Sequence, residues 1–561
     1  MKRTFASLAL ALGLLACRRT ERVAVAPVSP RVATPAPARE PVLGYIDESR
    51  LGKPVDGGVL RRRLIGEPAT LNALMQSSTT EQEVIAYLSR NLLDFDPALN
   101  LVPGLAEKYE VSPDGRTFRF WLRRDAVWED GTAVTSADAV FTLRHIQNPK
   151  IPTPVFKTVF EGLEAVEAID ARTFTVRFRD FYAYRPMAFV VPLLPERRFT
   201  GVDFLRARDN RSPLSNGPYR LVSWKSQESI QLERNPRYWG DRGHFDRVIF
   251  RILPDDAVAY RGLVAGDLDE TRIDAAGRDR ALSDPTARAC CRLVEFYNLD
   301  YNYIALNNRS PFFSDARVRR ALTMALDRGR IVRNIFHRSA RVISGPWAPD
   351  SPAYDPTVSP LPFDPAGAAR LLDEAGWKDS NGNGIRDREG KEFAFELLVS
   401  SGTDVGREID EALAAELARL GVRATVRPME WAAFIERIDA GDFEAASLAW
   451  SATDPNPDPY PFWHSTQTPP AGLNNGFYRN SEADRLMEQA RLEPDERRRL
   501  EIYHRLHRIF RDDAPAVFVT NASLKYLFSR RVRGLATSPL GLYGIWPGPA
   551  AWCEERPASQ P

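Results

Sequence analysis

The sequence predicts an α/β protein of two or three lobes that includes one α+β subdomain. Its 561 residues exceed what one hydrophobic core usually holds, so we expect the chain to divide. From residue 302 onwards, strand-like and helix-like patterns alternate, which is typical of an α/β lobe. From about residue 93 to residue 180, alternating strand patterns mix with helical ones and favour an α+β arrangement.

Charge and composition narrow the function classes. Lys and Arg number 76 against 74 for Asp and Glu, and no long basic block is present. This balance argues against nucleic acid as the main partner. Apolar residues make up 43% of the chain and charged residues 27%, as in ordinary soluble globular proteins.

The amino terminus has the features of an export signal. Residues 1–4 form a basic head, and residues 5–16 form an apolar stretch too short to span a bilayer. The stretch ends in Leu14-Leu15-Ala16-Cys17, which resembles a bacterial lipobox, where the signal is cut before a cysteine that is then acylated. We expect a signal peptide at residues 1–16 and lipidation of Cys17, with a plain signal peptide as the alternative. Residues 17–56 are rich in Pro and Ala and predict an extended tether.

The other cysteines are Cys290, Cys291 and Cys553. Adjacent cysteines are awkward to join to each other, and no Cys/His spacing in the sequence matches a zinc site. A bridge from Cys290 or Cys291 to Cys553 in an oxidising compartment stays open.

The elements of the first half follow in chain order. VLRRRLIG, near residue 60, predicts a strand, and a turn and a helix follow before residue 92. Alternation over residues 117–122, after the turn Pro113-Asp114-Gly115, predicts a second strand region. A helix begins near Ser136, whose hydroxyl we expect to cap it. Two later strands flank Ser226-Gln227-Glu228, a predicted hairpin.

The second half repeats strand and helix. Residues 302–307 predict a strand, and an amphipathic helix pair begins after Phe312, capped by Ser314 or Asp315. A helix over residues 365–375, the strand FAFELLVS, the helix GREIDEALAAELARLG and the strand RATVRP follow. This alternation builds the α/β lobe.

The stretch from residue 428 to 465 is the candidate centre of the chain. Trp431, Phe434 and Ile438 have helical spacing, Gly441 breaks the helix, and residues 445–450 predict a buried strand. The sequence DPNPDPYPFW then forms a rigid aromatic loop. Such a loop after a buried strand is a common place for a ligand, although it could equally cap a hydrophobic core.

No catalytic or metal-binding motif stands out. The sequence lacks the GxSxG, HExxH, phosphate-loop and dinucleotide patterns, so we predict no enzyme and no cofactor. Residues 379–390 have the oxygen side chains of a calcium loop, but Gly390 occupies the position of its closing glutamate. We therefore expect a polar turn without metal there.

Several stretches together resemble one known family. GGVLRRRLIGEPATLN, LVPGLAEKYEVSPDGRTFRFWLRRDAVWEDGT, NGPYRLVSW, ERNPRYWG, PFFSDARVRRALTMALDR and FDPAGAARLLDEAGWKD are similar, in order and spacing, to the extracellular solute-binding proteins of family 5. DPNPDPYPFWHS and FYRNSEADRLMEQAR extend the match. These proteins bind oligopeptides or dipeptides for ABC importers.

The resemblance implies a bilobal periplasmic-binding-protein-like fold: two α/β lobes with a hinge and an extra subdomain on lobe one. Lobe one would comprise residues 57–92, 206–299 and 526–561, the extra subdomain residues 93–205, and lobe two residues 300–525. Ligand would be held between the lobes, which close by hinge motion.

Carried onto this sequence, the resemblance also implies ligand contacts. Trp431 and Trp450 resemble the pair of cleft tryptophans of peptide binders, although either could instead be core. We expect contacts from Ser77, Ser78, Thr79, Tyr303, Trp431, Trp450, Asp454, Asp458 and Tyr460.

Two departures from the family pattern affect the ligand contacts. Many peptide binders hold the ligand's α-ammonium with an aspartate three residues after the second tryptophan, where this chain has Thr453. Asp454 comes one residue later, so anchoring by Asp454 or Asp458 is open, and turn formation before proline is the alternative role. Ala305 stands where oligopeptide binders can carry a glutamate.

The resemblance implies a substrate-binding lipoprotein of an ABC importer that captures peptides and delivers them to the permease subunits. We expect a monomer in the cell envelope, attached to a membrane only through its lipid. A non-peptide solute, such as an oligosaccharide or metal chelate, or a role as a ligand-presenting receptor, is the alternative.

Overall fold

The computed structural model describes residues 54–153, 156–402, 404–452, 455–470 and 472–554. The predicted signal peptide, Cys17, nearly all of the tether and Asp454 lie outside these described residues. None of the helices in this described part is both long and apolar enough to cross a lipid bilayer.

The first part of the chain alternates strands with short helices. Up to the extra subdomain's end it forms β1 (Val59–Leu64), α1 (Thr79–Leu88), β2 (Leu93–Phe95), β3 (Leu101–Pro103), β4 (Ala106–Val111), β5 (Thr117–Leu122), α2 (Ser136–Ile146), β6 (Leu163–Ala168), β7 (Thr173–Phe178) and α3 (Glu196–Phe199). It continues with β8 (Tyr219–Lys225), β9 (Ser229–Arg234), β10 (Arg247–Ile252), α4 (Asp256–Val264), β11 (Glu270–Arg272), α5 (Ala275–Ser283), α6 (Pro285–Cys290) and β12 (Cys291–Tyr297).

The second part has longer helices. It forms β13 (Tyr301–Leu306), α7 (Ala316–Ala325), α8 (Arg328–Asn334), β14 (Ala340–Val342), α9 (Pro365–Glu374), β15 (Asp387–Arg388), β16 (Lys391–Glu392), β17 (Ala394–Ser400), α10 (Asp404–Arg419), β18 (Arg423–Met429), α11 (Trp431–Ala440) and β19 (Ala445–Trp450). The last elements are α12 (Tyr460–Trp463), α13 (Ser481–Leu492), α14 (Glu496–Asp513), β20 (Ala516–Ser529), β21 (Val532–Arg533) and β22 (Cys553–Glu554).

One continuous sheet runs through both parts of the chain. Its strand order is β18-β17-β19-β13-β20-β11-β1-β10-β9-β8, and β12 and β14 also pair with β20. The early residues of β20 pair antiparallel with β13, and its late residues pair with β12 and β11. β20 is therefore shared by both halves of the sheet, and the predicted lobe boundary at residue 525 falls inside it.

The second half of the sheet is covered by amphipathic helices, as the sequence predicts. β17 runs parallel to β18 and β19, while β13 is antiparallel to β19. Asp315 caps α7, since its carboxylate accepts the N–H of Arg317. The helices bury their apolar faces against the strands in one core that includes Val318, Leu322, Leu397, Leu413, Leu417 and Val519.

In the first half, β1 runs parallel to β10, and β8 and β9 form the predicted hairpin around Gln227. The extra subdomain is a four-stranded antiparallel sheet in the order β4-β5-β7-β6 with a phenylalanine-rich core. The predicted cap of α2 is one residue out: Thr135 is the N-cap, and the hydroxyl of Ser136 donates instead to the carbonyl oxygen of Asp170. Thr135 is the cap because its N–H donates to the carboxylate of Asp138 at 2.9 Å, as in a capping box.

The loop around Asp379 forms a compact polar turn. The Asp379 carboxylate accepts the N–H groups of Gly382, Asn383 and Gly384. Its oxygens are thus directed at the backbone of their own loop, as in an Asx-type turn.

One aspartate lies deep in the second half. Asp410 on α10 is fully buried, and its carboxylate accepts a hydrogen bond from the Ser447 hydroxyl on β19. Burial raises the pKa of Asp410 to about 8. The folded protein therefore keeps a proton that the unfolded chain releases at a much lower pH.

This proton makes folding stability depend on pH. A group whose pKa is raised in the folded state stabilises fully below its unfolded pKa, and that contribution is lost as pH rises through the folded value of about 8. We predict that Asp410→Asn raises the free energy of unfolding at pH 8 by about 1–3 kcal/mol and flattens its decline between about pH 5 and 8.

Urea denaturation of both proteins at several pH values measures this effect. Asp439→Asn, at an exposed aspartate on α11, is the matched control and should change neither quantity. An unchanged slope in Asp410→Asn would contradict the prediction.

Candidate functional site

The candidate site lies at one edge of the second half of the sheet. β17, β18 and β19 are parallel, so their carboxyl ends meet at the same edge. Trp450 is the last residue of β19, and it pairs with Tyr301, the first residue of β13. Ligands commonly bind at the carboxyl ends of parallel strands, and here the chain also crosses to the other half of the sheet at this edge.

Two adjoining pockets open there. The tyrosine pocket is lined mainly by Tyr301, Tyr303, Ala305, Trp450, Phe462 and Trp463. The proline pocket is lined mainly by the proline loop, residues 455–459, together with Leu299, Tyr301, Trp347, Trp450, Phe462 and Trp463. The two pockets share one aromatic wall, because four residues line both of them: Tyr301, Trp450, Phe462 and Trp463.

Trp450 is the central member of this group. Its ring centroid lies 4.0 Å from that of Phe462, in a tilted arrangement. The side chain is half-buried, so part of the indole remains available to a ligand. The tyrosine pocket also brings the predicted residue Tyr303 beside Trp450.

Asp458 lines the proline pocket, but its carboxylate already has hydrogen-bond and ion-pair partners within the protein. The side chain is 5% exposed. Its carboxylate accepts hydrogen bonds from the Tyr182 hydroxyl at 3.0 Å and the Tyr460 N–H at 3.0 Å, and it pairs with Nε of Arg491 at 3.2 Å. Burial raises the pKa of Asp458, while the Arg491 guanidinium opposes this rise.

The contact between Tyr182 and Asp458 joins distant parts of the chain. Tyr182 follows the extra subdomain's β7, whereas Asp458 lies in the proline pocket and Arg491 on α13. The Asn456 amide donates to the Tyr182 hydroxyl at 2.6 Å, and the Ala183 N–H donates to the Arg491 carbonyl oxygen at 3.0 Å. We call Tyr182, Asp458 and Arg491 the tyrosine latch, because they hold the proline loop, residues 455–459, against residues 182–183.

Tyr460 contacts His464 and Arg491. Its ring stacks on His464 at 4.2 Å, and the Arg491 guanidinium lies 4.2 Å from its ring centroid. It lines neither pocket.

Trp431 is not brought together with Trp450. It is the first residue of α11, 58% exposed, and its ring stacks on Phe434 at 5.9 Å. It follows β18 and so lies at the same sheet edge, but outside both pockets.

Residues 77–79 lead into α1, which begins at Thr79. Ser78 is the N-cap, and the Glu81 carboxylate accepts the N–H groups of Ser77 at 2.6 Å and Ser78 at 3.0 Å. These two N–H groups are thus already used within the capping box, and Thr79 is the exposed first residue of the helix.

Asp300 is a site residue that sequence reasoning missed. It lies between the pocket residues Leu299 and Tyr301, and its carboxylate accepts the N–H of Ala452 at 3.0 Å. Burial raises the pKa of Asp300. This hydrogen bond joins the segment between β12 and β13 to Ala452, two residues after the end of β19.

Other missed residues are aromatic. Tyr301 alternates with the predicted Tyr303 along one strand, so strand periodicity could have indicated it. Trp347 donates its indole N–H to the Pro457 carbonyl oxygen at 2.9 Å, and no local pattern indicates that contact.

The chain is similar to known proteins over most of its length. The family model described as "Bacterial extracellular solute-binding proteins, family 5 Middle" matches residues 100–471. The oligopeptide-binding protein AppA of Bacillus subtilis (strain 168) is 30% identical over 478 residues, covering 83% of this chain and 87% of the relative.

Solved structures show the same fold. The structure of AppA from Bacillus subtilis in complex with a nonapeptide has a TM-score of 0.79 at 27% identity, covering 90% of this chain and 100% of that one. The structure of NikZ from Campylobacter jejuni in complex with Ni(L-His) has a TM-score of 0.77 at 24% identity, covering 88% and 99%. The predicted bilobal α/β fold with its additional α+β subdomain is confirmed. The family model and the AppA relative, which each span most of the chain, show that this protein belongs to the bacterial extracellular solute-binding proteins of family 5.

Proposed function

We propose that this protein captures peptides, from dipeptides to oligopeptides, in the cleft at the carboxyl edge of β17, β18 and β19, and delivers them to an ABC importer. The observation that carries the proposal is the pair of aromatic pockets around Trp450, at the edge where the chain crosses between the two halves of the sheet. The likeness to AppA, which was solved with a nonapeptide, supports peptides as the ligand class.

The pockets suit the side chains of a peptide of varied sequence. Among the described lining residues, Asp458 is the one charged side chain, and the tyrosine latch already engages it. Aromatic walls gain affinity from the area they bury and from stacking, neither of which needs a particular polar group on the ligand. Peptide main chain can then be read by hydrogen bonds that ignore side-chain identity.

The cellular setting is part of the proposal. We propose cleavage of residues 1–16, lipidation of Cys17, a tether at residues 17–56, and a monomer at the periplasmic face of the cell envelope that meets its permease there. Lobe one would be residues 57–92, 206–299 and 526–561, lobe two residues 300–525, and the extra subdomain residues 93–205. The protein binds and releases its ligand without changing it chemically.

A planar non-peptide solute is the second candidate, because the rings around Trp450 can stack on a sugar or a chelate as well as on a side chain. Thermal unfolding in the presence of di- to pentapeptides, oligosaccharides and metal chelates separates the two. A ligand at a hundred times its Kd stabilises the protein by about 2.7 kcal/mol, so a peptide ligand should raise the Tm in a concentration-dependent way. A rise with sugars or chelates and none with peptides would overturn the peptide assignment.

The two predicted tryptophans provide a matched pair of variants. We predict that Trp450→Ala lowers ligand affinity by about tenfold or more, since it removes the ring shared by both pockets, while the protein stays folded. Trp431→Ala, at the same sheet edge but outside the pockets, should change affinity less than about threefold.

Calorimetric titration of both variants with the ligand found in the thermal screen gives the two affinities. Circular dichroism confirms the fold of each variant. Equal losses, or a loss only in Trp431→Ala, would contradict the assignment of the cleft.

The tyrosine latch predicts a kinetic effect. Tyr182→Phe keeps the ring but removes the hydroxyl that bonds to Asp458 and Asn456. We predict that it destabilises the protein by only about 1 kcal/mol and speeds ligand release several-fold, because the proline loop loses one of its supports.

Stopped-flow release of ligand measures this change, and the association rate should stay nearly constant. Tyr109→Phe on β4, in the same subdomain, is the control. An unchanged release rate in Tyr182→Phe would show that the latch has no part in holding the loop.

A further inference from the structure

Two adjacent cysteines lie where a helix passes into a strand. Cys290 is the last residue of α6, and Cys291 is the first residue of β12. Their Sγ atoms are 3.0 Å apart. Cys290 is half-buried, whereas Cys291 is 4% exposed. The pair lies on the first half of the sheet, away from the residues that line the two pockets.

The backbone on both sides of the pair is fixed. The Asp284 carboxylate caps α6, and the Cys291 N–H donates to the Ala287 carbonyl oxygen. β12 pairs with β20, with Cys291 opposite Ser529, and the Arg530 N–H donates to the Cys290 carbonyl oxygen at 2.9 Å. These backbone bonds hold the two Cα atoms in place, so the distance between the sulfurs changes only through rotation of the two side chains.

The two sulfurs differ in their surroundings. Cys291 packs in an apolar cluster with Leu263, Ala287, Leu293 and Leu527. Besides its contact with the Cys291 sulfur, the Cys290 thiol, a weak donor, makes long contacts to the carbonyl oxygens of Val264 at 3.9 Å and Ala287 at 3.8 Å. Cys290 is thus the sulfur that a reagent from solution meets first, with Cys291 directly behind it.

We propose that Cys290 and Cys291 form a redox pair that closes reversibly to a vicinal disulfide when it meets a low-molecular-weight disulfide such as oxidised glutathione. The Cys290 thiol loses its proton to solvent, and the resulting thiolate attacks one sulfur of the oxidant to form a mixed disulfide; the glutathione thiolate that leaves takes up a proton from solvent. The Cys291 sulfur then displaces the second glutathione and gives its proton to that leaving thiolate. Two protein thiols are oxidised, and one glutathione disulfide is reduced to two thiols.

Reversibility follows from the spacing of neighbouring residues. Consecutive Cα atoms are about 3.8 Å apart across a trans peptide, whereas disulfides usually join Cα atoms about 4.4–6.8 Å apart. A bond between neighbours is therefore strained, and strained disulfides are reduced more readily than structural ones. The inference is independent of the ligand and of the proposed transport function.

The experiment uses the full chain, equilibrated with oxidised glutathione, alkylated under native conditions and digested with trypsin. Cleavage after Arg288 and Arg292 releases a tetrapeptide that contains both cysteines. We expect this peptide unalkylated and lighter by two hydrogen atoms, and we expect reduced glutathione to restore both alkylation sites without unfolding the protein. Because the readout is confined to this peptide, the state of Cys17 does not affect it.

Three variants complete the test. Cys290→Ser and Cys291→Ser should each abolish the lighter peptide, and Cys553→Ser should leave it unchanged. Double alkylation after oxidation, a stable glutathione adduct on Cys290, or a peptide cross-linked to Cys553 would each overturn the proposal. A vicinal bond that resists reduced glutathione until the protein unfolds would overturn its reversibility.

Discussion

The architecture depends on β20, the strand that both halves of the sheet share. Its 14 residues pair with β13 at one end and with β12 and β11 at the other. Where the pairing changes, the buried side chain of Asn521 donates to the carbonyl oxygens of Asn298 at 2.9 Å and Asp300 at 2.7 Å, and its own oxygen accepts from Arg341. Two chain segments cross between the halves, β20 and residues 298–300, and the side-chain amide of Asn521 joins them.

The same crossing positions the cleft. The carbonyl oxygen of Asp300 accepts a hydrogen bond from the side-chain amide of Asn521. The carboxylate of Asp300 accepts the N–H of Ala452, which lies two residues after Trp450. Tyr301 comes next and lines both pockets. The aromatic walls of the two pockets therefore lie within a few residues of the strand crossing.

Much of this fold could be predicted from the sequence because its signals are local. The period of apolar residues separates β13, β17 and β19 from the helices that cover them, and Asp315 and Gly441 mark helix ends by their own chemistry. The exact ends of elements are harder to predict from sequence. Thr135 and Ser136 can both cap α2, and the backbone geometry of the first turn selects Thr135.

The site could be predicted only in part. Trp450 ends a strand whose position follows from its own pattern, so its place at the pockets was foreseeable. Trp431 has the spacing of a buried helix face, yet the tertiary structure covers Phe434 and Ile438 and leaves the first residue of α11 exposed. Tyr182 and Asp458 meet across 276 positions, and no local pattern connects them. Contacts of this kind arise from how folded elements pack, which a single sequence does not display.

A hydrogen-bonded strand differs mechanically from a flexible linker. Because β20 is paired along both ends, the halves of the sheet can separate only by bending or twisting the strand itself, and the backbone resists both. Together with residues 298–300, β20 is thus a connection whose own hydrogen bonds restrict how far the two halves of the sheet can turn against each other.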